Sequence, residues 1–400
     1  MSTPWLVLVE SNTTGTGRQF CAAARARGLR PIVLASDPSR YPYLDEDGYD
    51  RRVLDTADAA AVLQACHHLG DVAGVTSSSE YFIATAAEVA TKLGLPSPDA
   101  PAVARCRHKD QQRIVLAGAG VPVAGFRLAR EPAQAVAAGL GYPVVVKPSM
   151  GSGSVGVQLC PDRAAVERHA TALLDAPVNE RAQAVPRLVL VEQYVTGPEF
   201  SVETFDDRVV AVVAKHLGPE PHFVEHGHDV PATVPPAVAT ALGDTALAAI
   251  RALGLGWGAA HTELRLSAGG PVVIEVNPRL AGGMIPALLR LALGVDLVDA
   301  VVGRAAGRAV DVRPRPLAHA SIRFAVADTP GVVADRTGLD AARATPSVTA
   351  AEFTVPVGAD LAITHSFRDR FGYAIAAGED PSTTADRARR AAAELHVVTR

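Results

Sequence analysis

Lysine is nearly absent from this chain: of the 38 lysines and arginines, only Lys92, Lys109, Lys147 and Lys215 are lysines. A sequence that uses arginine wherever a positive charge merely solubilises a surface retains lysine where a compact ammonium on a flexible stem is needed. Cysteine is scarce as well. Cys21, Cys66, Cys106 and Cys160 lie far apart with no C-x-x-C pair, which argues against a disulfide frame or a thiolate zinc site and for reduced thiols in a cytoplasm. No apolar run reaches the ~18 residues of a membrane span. The richest, 286–302, is interrupted by Arg290, Asp296 and Asp299. The start, Met1-Ser2-Thr3-Pro4, has no basic segment and the apolar run after it is short for a secretory signal, so neither a membrane partner nor export is expected. Positive excess is missing too: the formal net charge is −4, which speaks against a nucleic-acid partner bound through counterion release.

What remains is a soluble globular composition, 48% apolar and 20% charged over 400 residues, enough for two or three domains. Residues 1–105 alternate strand and helix signals and read as a wound βα domain. Its first turn, Ser11 to Gly17, has Phe20 where the third glycine of a dinucleotide fingerprint would stand, so that reading is minor. Thr76-Ser77-Ser78-Ser79-Glu80 follows a strand, a place for ligand contacts such as Glu80 or for a helix cap. Pro96, Pro98 and Pro101 open a second unit, 106–305, with a small α/β lid at about 123–195. Within the lid the expected elements are a helix at 131–140, a strand ending at Lys147, a strand at 155–159 and a helix at 162–174. Pro314 and Pro316 mark a mixed α/β segment over 306–400.

Two constellations carry chemistry. Lys147 ends the apolar run 142–146 and precedes Pro148-Ser149-Met150-Gly151-Ser152-Gly153-Ser154. Glycines let backbone N–H groups approach anionic oxygens, serines add donors and the lysine adds a point charge, which together suit phosphate. A glycine-rich hairpin with a solvated lysine is the alternative. The second is the hairpin 258–279. A three-residue loop, Ala268 to Gly270, sets Glu263 opposite Glu275 and His261 opposite Asn277, all on one face, with Leu264, Ile274 and Val276 on the other. Opposed carboxylates repel. A hard divalent cation turns that repulsion into binding, because it takes two carboxylates and an amide oxygen from one side and phosphate oxygens from the other. Magnesium with a nucleotide is the first choice.

With these residues in place, the chain resembles the ATP-grasp enzymes, strongly over 100–305. The resemblance implies a mixed α/β and α+β architecture that grips ATP between the lid and a larger unit. It also implies two magnesium ions, for which manganese can substitute. Lys109 and Lys147 then match the two phosphate-holding lysines, with Ser149, Gly151, Ser152, Gly153 and Ser154 beneath the phosphates. Glu192, Tyr194 and Val195 match the hinge at the adenine, and Glu199 the ribose acid. Glu263, Glu275 and Asn277 match the metal ligands, and Arg279 the arginine at the transferring phosphoryl group. Lys215 is a third active-site lysine or an ordinary strand-end charge.

His261-Thr262-Glu263, the segment 223–231 read as a substrate-covering loop with His226 and His228, and the run from Asn277 to Gly283 resemble the L-amino acid ligase branch. That branch implies amino-acid substrates, contacts from Gly282 and Gly283, an acyl phosphate, and His261 or Glu203 as proton acceptor. It leaves a homodimer open. His222, His226 and His228 are weak evidence for a metal. Two other readings stay open: a purine- or cofactor-pathway ligase acting on a small acid, and a non-catalytic nucleotide-binding protein.

Overall fold

The computed structural model describes residues 3–12, 16–176, 178 and 184–400; Met1, Ser2, Thr13, Thr14, Gly15, and residues 177 and 179–183 of the span expected as the lid lie outside the described residues. The N-terminal sheet is parallel, with strands in the order Asp50–Val53, Arg30–Ala35, Trp5–Val9, Val72–Thr76. The two inner strands are nearly continuous apolar runs because helices cover both faces. Local signals set the helix ends: Asp58 caps Ala59–Leu69 by accepting from the N–H of Ala60, and Gly70 closes it at φ 83°. The edge strand Asp50–Val53 is exposed throughout, lacks apolar alternation and was not expected from sequence.

The lid is a four-stranded antiparallel sheet in the order Phe126–Ala129, Val189–Gln193, Val144–Pro148, Gln158–Cys160, backed by the helices Pro132–Val136 and Arg163–Leu174. Val144 and Val146 turn into the lid core, so Val145 and Lys147 necessarily turn the other way, toward the large unit. Two expectations are corrected here. The strand foreseen at 155–159 begins only at Gln158, because Val155 and Gly156 belong to the glycine turn, and the helix foreseen at 131–140 spans only Pro132–Val136.

An eight-stranded antiparallel sheet forms the large unit. Its order is Gly270–Asn277, Ala259–Ser267, Glu199–Phe205, Arg208–Leu217, Glu225–Val230, His319–Val326, Arg370–Gly378, Val348–Phe353. The strand Glu199–Phe205 shows how the sequence divides its faces: Phe200 and Val202 join the core under the helix Pro236–Ala252, leaving Glu199, Ser201 and Glu203 on the other side.

The segment 223–231, expected as a covering loop, is a central strand over Glu225–Val230. Its polar sequence hides that role. Glu225 and Asp229 are accommodated by ion pairs to Lys215, Arg370 and Arg323 instead of by apolar contact.

The hairpin corrects a second expectation. Its turn has two residues, Ala268 and Gly269, because Ser267 pairs with Gly270. Unbroken, that register would have displaced Glu263 from Glu275. A β-bulge at Ile274 restores it, so that Glu263 faces Glu275 and His261 faces Asn277. The bulge also breaks the two-residue period: Val273 and Val276 both enter the core, while Ile274, foreseen on the core side, lines the cleft beside Glu275.

Candidate active site

A cleft of about 900 Å³, open to solvent, runs between the lid and the eight-stranded sheet. Ala124, Val145, Val155, Ile274 and Phe223 give it an apolar wall, and Gly151, Ser152, Gly153 and Ser154 a loop of polar backbone. Into it converge Lys109, Lys147, Glu192, Tyr194, Val195, Glu199, Glu263, Glu275, Asn277 and Arg279, which the sequence had singled out on separate segments.

The cations are held in defined partnerships. Lys109 Nζ lies 3.0 Å from Glu275 Oε1 and 2.7 Å from the Gly151 carbonyl. Lys147 Nζ lies 2.6 Å from Glu192 Oε2, and the other Glu192 oxygen accepts from Arg113. Burial and the nearby cations pull the Lys147 pKa below its ordinary value although Glu192 opposes them. Glu192, expected at the adenine or in the backbone frame around it, lines the cleft and turns its carboxylate to Arg113 and Lys147.

Lys215 is the centre of a buried network. Its ammonium sits 2.8 Å from Glu199, 2.9 Å from Glu225 and 3.0 Å from Glu263. Burial alone would lower its pKa, but the three carboxylates win and raise it well above the usual lysine value. Arg265 pairs with Glu199, Arg370 with Glu225, and His261 bridges Glu263 and Glu203 at 3.1 and 2.7 Å. Lys215, Arg265, Arg370 and protonated His261 thus balance Glu199, Glu225, Glu263 and Glu203. Burial would lower the pKa of His261, which with Glu203 was expected as one of two alternative proton acceptors, but both its ring nitrogens face carboxylates that outweigh burial and push it up to about 9.

On the far side, Arg279 Nε reaches Glu80 at 2.6 Å and Arg107 reaches the same carboxylate at 2.7 Å. Burial raises the Glu80 pKa, yet the two guanidiniums bring it down to about 2. Two cations on one acid leave a surplus positive charge at the rim.

Other expected residues sit apart. Ser149 is buried below the loop, its hydroxyl without a hydrogen-bond partner among the described residues. His226 packs against Gly218 and does not line the cleft. His228 is buried with neither ring nitrogen hydrogen-bonded, its Nε2 2.4 Å from where a Cβ on Gly283 would lie. Gly283, at φ +58°, thus meets this ring, while neither it nor Gly282 lines the cleft. His222 stacks on His365 at 3.8 Å.

Residues the sequence reading passed over are Arg107, Gln112, Arg113, Glu225 and Arg265. A signal existed for two of them. The buried stripe of the helix Lys109–Gly118 is Lys109, Gln112, Arg113 and Leu116, an inward i, i+3, i+4, i+7 pattern filled mostly by polar groups where apolar ones are the rule.

A nucleotide fits this lining: an apolar wall for a base, two ammoniums and a glycine loop for phosphates. Among the described residues no group of three or more His, Cys, Asp or Glu forms a metal site. The oxygen donors of Glu263, Glu275 and Asn277 would suit a hard cation such as magnesium, which keeps waters and phosphate oxygens in its shell.

Residues 140–287 match the family model described as the ATP-grasp domain, and residues 323–400 match the L-amino acid ligase C-terminal domain 2. The chain is 38% identical over 383 residues to the uncharacterized protein y4rH of Sinorhizobium fredii, covering 94% of this chain and 79% of that one. It is 28% identical over 328 residues to carnosine synthase 1 of Gallus gallus, covering 76% of this chain but only 35% of that protein. Its fold matches the crystal structure of an L-amino acid ligase from Bacillus licheniformis with a TM-score of 0.82 at 23% identity, over 100% of both chains. No helix among the described residues is long and apolar enough to cross a membrane.

Proposed function

Because the chain belongs to the ATP-grasp family and is an ATP-dependent ligase resembling the L-amino acid ligase branch, we propose that it joins an amino-acid carboxylate to an amine through an acyl phosphate. The observation that carries this reading is the convergence of opposed Glu263 and Glu275 with Lys109, Lys147 and Arg279 on one cleft.

The substrate carboxylate attacks the γ-phosphorus of ATP, ADP leaves, and the amine then displaces phosphate from the acyl carbon, losing a proton. Phosphoryl transfer asks mainly for positioning and for charge to be neutralised. Lys109 and Lys147 supply fixed ammoniums, and the glycine loop supplies N–H groups that approach oxygens without a Cβ in the way. Glu263, Glu275 and Asn277 would hold magnesium, which when bound would neutralise charge developing on the phosphates. Arg279, with its neighbour Arg107 sharing the Glu80 charge, leaves net positive potential for an incoming carboxylate. The lid sheet excludes water that would hydrolyse the acyl phosphate. In the protein free of metal, Glu203 and Glu263 flank His261 and favour its charged form.

The test is product analysis by mass spectrometry after incubation with Mg-ATP and a panel of amino acids, together with ADP and phosphate release. Amide product with one ADP and one phosphate per bond is expected. ADP release that depends only on bicarbonate or another small acid, or that ignores amino acids altogether, overturns the proposal.

A further inference from the structure

The strand Gly270–Asn277, which carries Glu275 and Asn277, lies at the edge of the eight-stranded sheet. An edge strand has one side of its backbone without a ladder partner. Here the Pro122 carbonyl takes part of that side by accepting from the Val273 N–H at 2.8 Å, and side chains of the helix Lys109–Gly118 take the stretch around Glu275. Gln112 donates from Nε2 to the Val276 carbonyl at 2.9 Å and accepts on Oε1 from the Val276 N–H at 2.9 Å, mimicking a neighbouring strand with one amide. Arg113 donates to the carbonyl of Ile274, the bulge residue, and its Nε donates to Glu192. Both residues are fully buried. The pair therefore holds the backbone on either side of Glu275, and Lys109 from the same helix face reaches the Glu275 carboxylate itself.

Arg113 has a second consequence. Glu192 alone would neutralise Lys147; with Arg113 on its other oxygen, the trio Arg113–Glu192–Lys147 keeps one net positive charge. We infer that Gln112 and Arg113 are positioning residues, Gln112 fixing Glu275 for the metal and Arg113 both fixing the bulge and preserving the charge that Lys147 offers a phosphate. This rests on the roles given to Glu275 and Lys147 above. Supporting groups of this kind typically change metal affinity or activity by ~10–100-fold when lost.

The experiment is calorimetric titration of the full chain with ADP, with and without magnesium chloride, beside steady-state turnover. Gln112→Leu should keep the magnesium-free ADP affinity and lose about tenfold of the gain that magnesium gives. Arg113→Met should lose about tenfold of the magnesium-free affinity. Arg113→Lys, which restores the charge but cannot span to both Glu192 and the Ile274 carbonyl, should recover that affinity while the magnesium gain stays reduced. Should Gln112→Leu fail to fold, Gln112→Glu keeps the bond from the Val276 N–H, loses the one to its carbonyl, and carries the same expectation.

Glu275→Gln separates the two levels of the argument. If it loses the magnesium gain and Gln112→Leu keeps it, the positioning role is overturned and the metal reading stands. If Glu275→Gln keeps the full gain, the metal reading falls and takes this inference with it. Uniform losses in every variant that merely track a lower melting temperature reduce both residues to packing and overturn the inference as well.

Discussion

Phe367, in the turn just before the strand Arg370–Gly378, rests on Gly153 of the lid's glycine loop: a Cβ at 153 would lie 2.3 Å from the Phe367 ring, and the Phe367 N–H meets the Gly153 carbonyl at 3.4 Å. The C-terminal part of the chain thus touches the loop that covers the cleft. Phe367→Ala should loosen that cover, raising the KM for ATP and the share of ATP hydrolysed without amide formation. The ratio of phosphate released to amide formed measures it, and an unchanged ratio would count against a covering role. Gly153→Val adds both the clash and strain at φ +62°, and should be the more severe.

Glu275→Gln removes one of the two opposed acids and the partner of Lys109. Turnover should fall at least about a hundredfold, the upper end of what losing even a supporting residue costs. Far-ultraviolet circular dichroism should stay at its parent shape. Normal ADP production by this variant would sink the assignment of the metal face.

Lys215→Met withdraws the ammonium shared by Glu199, Glu225 and Glu263. Removing one member of a buried ionic set typically costs ~3–5 kcal/mol, since the remaining charges lose their counter-charge. Denaturant unfolding should show a loss of that order. A loss below about 1 kcal/mol, as for surface pairs, would mean that Lys215 is a strand-end charge and nothing more.

His261 and His228 should titrate in opposite directions in the protein free of metal and nucleotide. Carboxylates outweigh burial at His261 and raise its pKa to about 9, so its contribution to stability is full below about pH 6.5 and is lost as pH rises through 9. At His228 burial wins and lowers the pKa to about 3. Its contribution is full above about pH 6.5 and is lost as pH falls toward 3, at up to about 1.36 kcal/mol per pH unit. Nitrogen-15 NMR of labelled histidines should show one imidazolium persisting past pH 8 and one neutral ring persisting below pH 5. His228→Phe should flatten the acid limb of the stability profile. Two histidines titrating together near pH 6.5 would contradict both.

Much of the site was legible because each segment carried its own local signal: a lysine after a valine run, a glycine-serine loop, two acids spaced around a turn. The facing of Glu263 and Glu275 came out as expected even though the turn was misread by one residue, because the bulge at Ile274 compensated. Bulges leave little trace in sequence, and the apparent agreement came from two departures that cancel. The strand Glu225–Val230 was hidden for a different reason. Its polar residues are stabilised by Lys215, Arg323 and Arg370 from distant segments, which no local pattern reports. The helix Lys109–Gly118 could have been read further. A polar stripe at helical spacing needs buried partners, and that spacing singles out Gln112 and Arg113 alongside Lys109.

The seam between the strands Glu225–Val230 and His319–Val326 lies in the interior of the eight-stranded sheet. A chain cut near residue 305 would leave the first of them with unsatisfied N–H and C=O groups along one whole side, a template for pairing with other chains. Truncation should therefore yield aggregates in place of a minimal catalytic fragment. The terminal quarter of the polypeptide is in this sense part of the nucleotide-gripping body, and exchanging it between relatives would mean re-matching a ladder of backbone hydrogen bonds as well as a surface.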